Sequence, residues 1–392
     1  MITVEQALHI VREHAVQGKT AEKPLSEALG HFLAEDIHAP VNVPAFNQSA
    51  MDGYGFRYNE LGQRLTVVDE IPAGDTRIVP VEQGQAVRIF TGAKVPDACD
   101  TVVMQELCEL VDGKLLVRDA GLKQGGNIRK EGHQIKQGDL ALQQGTLVTP
   151  AVIGFLASLG LDLIPVILHP RVTLITTGNE LVKPGNSLIK GQVYESNSYM
   201  LQAALKQYGI TADVITLPDE QEATIREINR ALAVSDLLIL TGGISVGDYD
   251  YVKPALEKCG VNELFYKVLQ KPGKPLFFGR KDDKLILALP GNPAAALTCF
   301  YIYMTRIIEH YLGNSSPGLQ QIQATISESY KKKSGRAEFL KAMVSNNQVR
   351  LLEGQGSDVL LSFAKANALV YLPLDVEMLQ PGDVVDVYLL PL

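Results

Sequence analysis

Cysteine is scarce and scattered: Cys99, Cys108, Cys259 and Cys299 are the four in 392 residues, and none stands at Cys-x-x-Cys spacing. That pattern signals neither a zinc site nor a disulfide framework, and it fits a reducing compartment. Basic tracts of the kind that follow a phosphate backbone are missing, and the formal net charge is −8. A nucleic-acid partner is therefore not expected, and any anionic substrate must meet positive charge supplied locally. Neither Gly-x-Gly-x-x-Gly nor Gly-x-x-x-x-Gly-Lys-Ser/Thr occurs, which disfavours a dinucleotide or P-loop enzyme. The start, Met1-Ile2-Thr3-Val4-Glu5, lacks the basic and apolar regions of a secretory signal. One long apolar stretch exists, residues 147–168, with Asp162 as its only charge, but Pro150, Gly154, Gly160 and Pro165 break it. A helix over about 150–159 and a buried strand from 163 are expected there rather than a membrane span, and the expected location is cytoplasmic.

What is present is ordinary globular material, with 46% hydrophobic and 20% charged residues, and a chain of this length should divide into several domains. Residues 1–40 read as helical, from apolar Val4, Ala7, Leu8, Val11 and Ala15. Residues 41–145 break into short alternating runs, and Asp112-Gly113 between 108–111 and 114–117 is a hairpin signal. From 171 to 312, apolar runs at 171–175, 236–240 and 284–289 alternate with helix-length segments and lead into glycine-bearing loops. That is the pattern of a doubly wound parallel sheet. Beyond a Gly/Ser/Pro linker at 313–318, short strands near 322–330, 339–344, 368–372 and 384–390 predict a small β-barrel. The expected fold class is multidomain α/β plus β. Its divisions are a helical linker domain (1–40 with 146–168), an inserted β-rich domain (41–145), an α/β domain (169–315) and a terminal barrel (316–392).

Ligands of open parallel sheets bind beyond the carboxyl ends of the strands. Three loops should share that edge: Thr176-Thr177-Gly178-Asn179-Glu180, then Thr241-Gly242-Gly243-Ile244-Ser245-Val246-Gly247-Asp248, then Pro290-Gly291-Asn292-Pro293. Any one alone reads equally well as a packing turn; three in one sheet point to anion binding. Lys271-Pro272-Gly273-Lys274-Pro275 sets two ammonium groups on a proline-stiffened segment, suited to a dianion if it is not a solvated turn. Glu180, Asp219, Glu220, Asp248 and Asp250 stand beside these loops. They are either exposed carboxylates or ligands for a Mg²⁺ that bridges phosphate oxygens. Segments 44–55 and 90–96 read by themselves as capped turns.

Taken in order, Ser49-Ala50-Met51-Asp52-Gly53-Tyr54, Thr91-Gly92-Ala93, Thr177-Gly178 with Glu180, the Gly242-Gly243 to Asp250 loop, the Lys271 to Pro275 segment and Pro290-Gly291-Asn292-Pro293 resemble the molybdopterin molybdenumtransferase family. That family is called MoeA in bacteria and forms the C-terminal region of gephyrin in animals. The resemblance spans essentially the whole chain. It implies a dimeric enzyme that transfers molybdate into adenylylated molybdopterin with release of AMP, assisted by Mg²⁺, with a molybdopterin adenylyltransferase as pathway partner. It further implies that Asp52, Glu180, Asp250, Lys271 and Lys274 are catalytic. Ser49, Thr91, Gly92, Thr177, Gly178, Gly242, Gly243, Ser245, Gly247, Pro290, Gly291, Asn292, Pro293, Arg336 and Ser357 would bind substrate, and Asp219 and Asp250 the metal. Asp52 and Thr91 would come from the partner subunit. Two departures stand out: His133-Gln134 replaces an acidic pair, and Asn179 replaces the usual aspartate of Thr-Gly-Asp-Glu. Rival readings are a pterin adenylyltransferase and a non-catalytic scaffold.

Overall fold

The computed structural model describes residues 1–244, 250–332 and 335–391. The chain forms two compact units, one of residues 1–22, 30–34 and 165–392 and one of 23–29 and 35–164.

The larger unit is organised by a six-stranded sheet. Its strand order is Ala212–Leu217, Val172–Thr177, Leu237–Thr241, Lys284–Leu289, Phe277–Lys281, Asn262–Tyr266. The first four are parallel and the last two antiparallel, so the expected parallel sheet carries an antiparallel hairpin at one edge. Each buried strand is apolar on both sides, as a sheet covered on both faces requires. Leu174, Ile239 and Leu287 pack with helix Asn197–Lys206 and the helical run from Pro293. Their neighbours Ile175, Leu240 and Ile286 pack with Gln221–Val234 and Val252–Lys258. Register places Thr176 beside Thr241 and Thr241 beside Leu289. The three glycine-bearing loops therefore leave the sheet at one edge.

The same unit carries the terminal barrel. Ala337–Ser345, Gln348–Leu351, Gln321–Ile326, Val384–Leu389 and Ala368–Leu372 pair in that order, and the last closes on the first. Ala324, Leu340, Val349, Val370 and Val387 fill it. Its tightest hairpin turns at Asn346 (φ 50°) and Asn347 (φ 60°), the positive angles such turns demand.

The helical reading of residues 1–40 holds for Val4–Glu13 alone, started by a Thr3/Gln6 capping box and burying Val4, Ala7 and Val11. Thereafter Thr20–Pro24, Phe32–Leu33 and Ile37–His38 are extended. The first of these alternates exposed and half-buried side chains, and it ends on a proline that favours extended backbone.

The smaller unit centres on a second six-stranded sheet, in the order Thr101–Met104, Gly53–Phe56, Gln85–Ile89, Arg64–Ile71, Lys114–Val117, Cys108–Val111. The hairpin turns at Asp112 (φ 52°) and Gly113 (φ 74°), as its sequence predicts. Helix Pro150–Ser158 also takes the expected place, with a strand at Leu163–Ile167. Among the described residues no helix is long and apolar enough to cross a membrane.

Candidate active site

A cavity of about 510 Å³ opens at the carboxyl edge of the α/β sheet, lined by Thr177, Gly178, Glu180, Asp219, Gly242, Gly243, Asp250, Gly291, Asn292 and Pro293. These are sequence-predicted residues from all three loops. Gly242 is required sterically: it sits at φ 90°, and a Cβ there would fall 2.6 Å from the Thr177 carbonyl oxygen. A Gly242→Ala chain is expected to lose about 2 kcal/mol or more, since positive φ and a backbone clash add. A thermal melt of that variant checks it.

Asn197, Glu195 and Ser196 also line the cavity and were not anticipated. The Asn197 side-chain amide donates to Thr241 Oγ1 (2.9 Å) and to the Gly291 carbonyl (2.8 Å), while Thr241 Oγ1 donates to the Pro290 carbonyl (3.1 Å). One asparagine thus ties two strand-end loops together at the start of a ten-residue helix. Glu195 accepts from the Ser198 amide at 2.8 Å and from its hydroxyl, in the first turn of that helix.

The substituted Asn179 has a defined partner. Its amide donates to Asp219 Oδ2 (3.1 Å) and its side-chain oxygen accepts from the Asp219 amide (3.2 Å). An aspartate there would set two carboxylates against each other; asparagine removes that repulsion.

Two buried polar atoms in this cavity, Thr177 Oγ1 and Asn197 Oδ1, have no hydrogen-bond partner among the described residues. Buried polar groups are normally satisfied, and both residues line the cavity. Thr177→Val is accordingly expected to leave the melting temperature unchanged or slightly higher, because no existing bond is lost. It should weaken substrate binding in this cavity by about tenfold. Thermal melts and substrate KM report the two effects separately.

A second cavity, about 280 Å³, is lined by Lys271, Gly273, Lys274, Pro290, Asn292, Ala295, Arg336 and Ser357. Asn292 borders both cavities and donates to Ser357 Oγ at 2.7 Å. The lysine segment is pinned from beneath by Gln270, which is fully buried. Its side-chain amide donates to the Pro272 carbonyl (3.0 Å), and it accepts from the Tyr303 hydroxyl. The Lys274 carbonyl accepts from the amides of Val268 and Leu276 at 3.0 and 3.1 Å. Gly273 (φ 87°) lies so close to Cys299 that a Cβ would come within 2.3 Å of its sulfur.

The two lysines differ. Lys271 Nζ is 3.3 Å from Glu338 Oε1, a carboxylate fully buried in the barrel that also accepts from the Tyr330 hydroxyl at 2.7 Å. Burial, and then Glu338, push the Tyr330 hydroxyl up in pKa. Lys274 and Arg336 have no acidic partner among the described residues. The cavities therefore contrast in charge. The larger is bordered by Glu180, Glu195, Asp219 and Asp250 and, among described residues, by no basic side chain. The smaller is bordered by Lys271, Lys274 and Arg336 and, among the described residues, by no carboxylate. No cysteine lines either; burial pushes Cys99 up to about 12 and raises Cys299 as well.

Ser245 and Gly247, both predicted to bind substrate, and Asp248 lie outside the described residues. Ser49, Asp52, Thr91 and Gly92 gather in the smaller unit. Asp52 Oδ1 accepts from the Thr91 amide (2.8 Å) and hydroxyl (2.7 Å), and the Gly92 amide donates to the Ser49 carbonyl (2.9 Å). Those two bonds from Thr91 hold the Asp52 carboxyl below its ordinary pKa. Among the described residues no three His, Cys, Asp or Glu side chains converge as a metal cluster.

An α/β sheet whose carboxyl edge carries an acidic and a basic chamber, the second also lined by Arg336 and Ser357 from the barrel region, has the layout of an enzyme site. Family models match three stretches: the MoeA N-terminal region (domain I and II) over residues 2–160, a probable molybdopterin binding domain over 173–310, and the MoeA C-terminal region (domain IV) over 323–390. The molybdopterin molybdenumtransferase of Haemophilus influenzae is 34% identical over 398 residues, covering 99% of this chain and 98% of its own. That of Staphylococcus epidermidis is 32% identical, covering 99% and 95%. The molybdopterin biosynthesis MoeA protein of Pyrococcus horikosii superposes with a TM-score of 0.86 at 28% identity over 99% of both chains. The chain belongs to the molybdopterin molybdenumtransferases, transferases of molybdenum cofactor biosynthesis.

Proposed function

We propose that this enzyme transfers molybdate into adenylylated molybdopterin, releasing AMP and molybdenum cofactor. The observation that carries the reading is the pair of oppositely charged chambers sharing Asn292. The nucleotide phosphates occupy the larger chamber, where Thr177, Asn197 and the glycine-loop backbone supply polar contacts, and the positive end of the Asn197–Lys206 helix favours negative charge. Asp250 and Asp219, which line this chamber, would hold Mg²⁺, with water and phosphate oxygens completing its shell; when bound, the ion would neutralise charge on those oxygens. Molybdate, a dianion, occupies the smaller chamber between Lys274, Arg336 and the Ser357 hydroxyl. The bond to be broken requires charge stabilisation more than a strong base, so fixed cations and amides can carry most of the rate. The dithiolene sulfurs of the pterin are the soft ligands that receive molybdenum, and no protein thiol is needed. The working unit in this reading is a homodimer in which a second copy presents its Asp52 and Thr91 pair. The substrate would be supplied by a molybdopterin adenylyltransferase.

The test is AMP release from purified adenylylated molybdopterin, with and without molybdate and Mg²⁺. Release that depends on both supports the reading. Release that ignores molybdate, or net adenylylation of free molybdopterin by ATP, overturns it.

A further inference from the structure

We propose that Lys341 is a positioning residue for the oxyanion chamber: its buried ammonium, gripped by the 354–359 loop, holds that loop so that Ser357 meets Asn292. The inference rests on the reading of the smaller cavity given above.

Lys341 lies on barrel strand Ala337–Ser345 and is 2% exposed. Its ammonium donates to the carbonyls of Gly354 (2.8 Å), Gly356 (3.0 Å) and Val359 (3.1 Å). An ammonium has three donors, and the loop supplies three acceptors, so the group is fully satisfied without a carboxylate at hydrogen-bond distance. Burying a charge this way is costly unless every donor is met. A methionine of similar length would fill the same space without that cost, so the ammonium must be explained by what it holds.

What it holds is a stretch outside any strand or helix. Gln355 doubles the attachment: the Lys341 amide donates to its side-chain oxygen at 2.9 Å, and its side-chain amide donates to the Lys341 carbonyl at 2.8 Å. Ser362 Oγ reaches the same Gly354 and Val359 carbonyls, at 2.7 and 3.2 Å. From this clamp the loop delivers Ser357 at two points. Its hydroxyl accepts from the Asn292 side chain, and its carbonyl accepts from the Ala295 amide at 3.1 Å. Lys341 itself does not line the cavity; it acts through Ser357. Ordering that hydroxyl before the oxyanion arrives lowers the entropy lost on binding.

The experiment is a double-mutant cycle in the full-length enzyme, reading KM for molybdate and kcat separately. Ser357→Ala is expected to raise KM about tenfold, as for a lost charge-assisted hydrogen bond. Lys341→Met should raise KM by a similar factor with kcat within about twofold, and adding Ser357→Ala to it should raise KM no further. Ser362→Ala loosens the same loop more gently. It should raise KM about threefold and be likewise non-additive with Ser357→Ala, so the cycle can be completed even where Lys341→Met does not fold. Effects that multiply, or lowered kcat at wild-type KM, overturn the positioning role alone. A wild-type enzyme without molybdate dependence removes the oxyanion reading and this role together.

Discussion

Lys274→Ala is expected to reduce molybdate-dependent AMP release by about 10²- to 10³-fold, the loss typical of removing one preorganised donor from developing or bound negative charge. Its melting temperature should stay close to wild type. The structural reason for the second half is specific. Lys274 holds the fold through its carbonyl, which accepts from Val268 and Leu276, and alanine preserves that carbonyl. Its ammonium has no acidic partner among the described residues, so truncation strands no buried charge. Lys271→Ala offers no such clean comparison, since it removes an ion-pair partner from fully buried Glu338 and should destabilise the barrel as well. Calorimetry alongside the AMP assay checks the pair. Wild-type turnover by the Lys274 variant would defeat the assignment of the smaller chamber.

Asp250→Asn should produce a loss of comparable size, on the order of 10²-fold, with a different signature. Asparagine keeps the shape and removes the charge, so the chamber should still admit the nucleotide but grip a divalent cation less well. The expected result is a Mg²⁺ titration displaced to higher concentration with molybdate KM little changed. A shift in molybdate KM without a shift in Mg²⁺ demand would reassign Asp250 to the smaller chamber.

Much of this site was legible because it sits where buried strands stop. Thr177, Gly242 and Pro290 each follow an apolar run dense enough to be read as a central strand, and a parallel register forces their loops together. The resemblance then linked the lysine segment to Arg336 and Ser357, which no periodicity could have joined. Illegible residues failed for equally physical reasons. Asn197 and Glu195 close a long polar segment without periodic apolar positions, so nothing in the pattern marks them as facing a cavity. The antiparallel edge strands Asn262–Tyr266 and Phe277–Lys281 flank the lysine motif, and Asn262, Glu263, Arg280 and Lys281 give them a polar texture. Lys341 and Glu338 stand three apart on one strand and so point to opposite faces, yet both are buried: the 354–359 loop takes the lysine and Tyr330 meets the glutamate. Tertiary cover of a charged side chain leaves no trace in a local pattern.

The ion pair between Lys271 and Glu338 has a bearing on selectivity. With one lysine already compensated, the smaller chamber retains, among the described residues, two unbalanced positive charges, those of Lys274 and Arg336, and in the proposed reading a single doubly charged tetrahedral ion would bring these to neutrality. Chloride or nitrate would leave it half-filled electrically, whereas sulfate would balance it as well as molybdate does. Discrimination between those two cannot come from charge, and falls instead to the pterin sulfurs, which capture a metal centre and ignore a sulfur one.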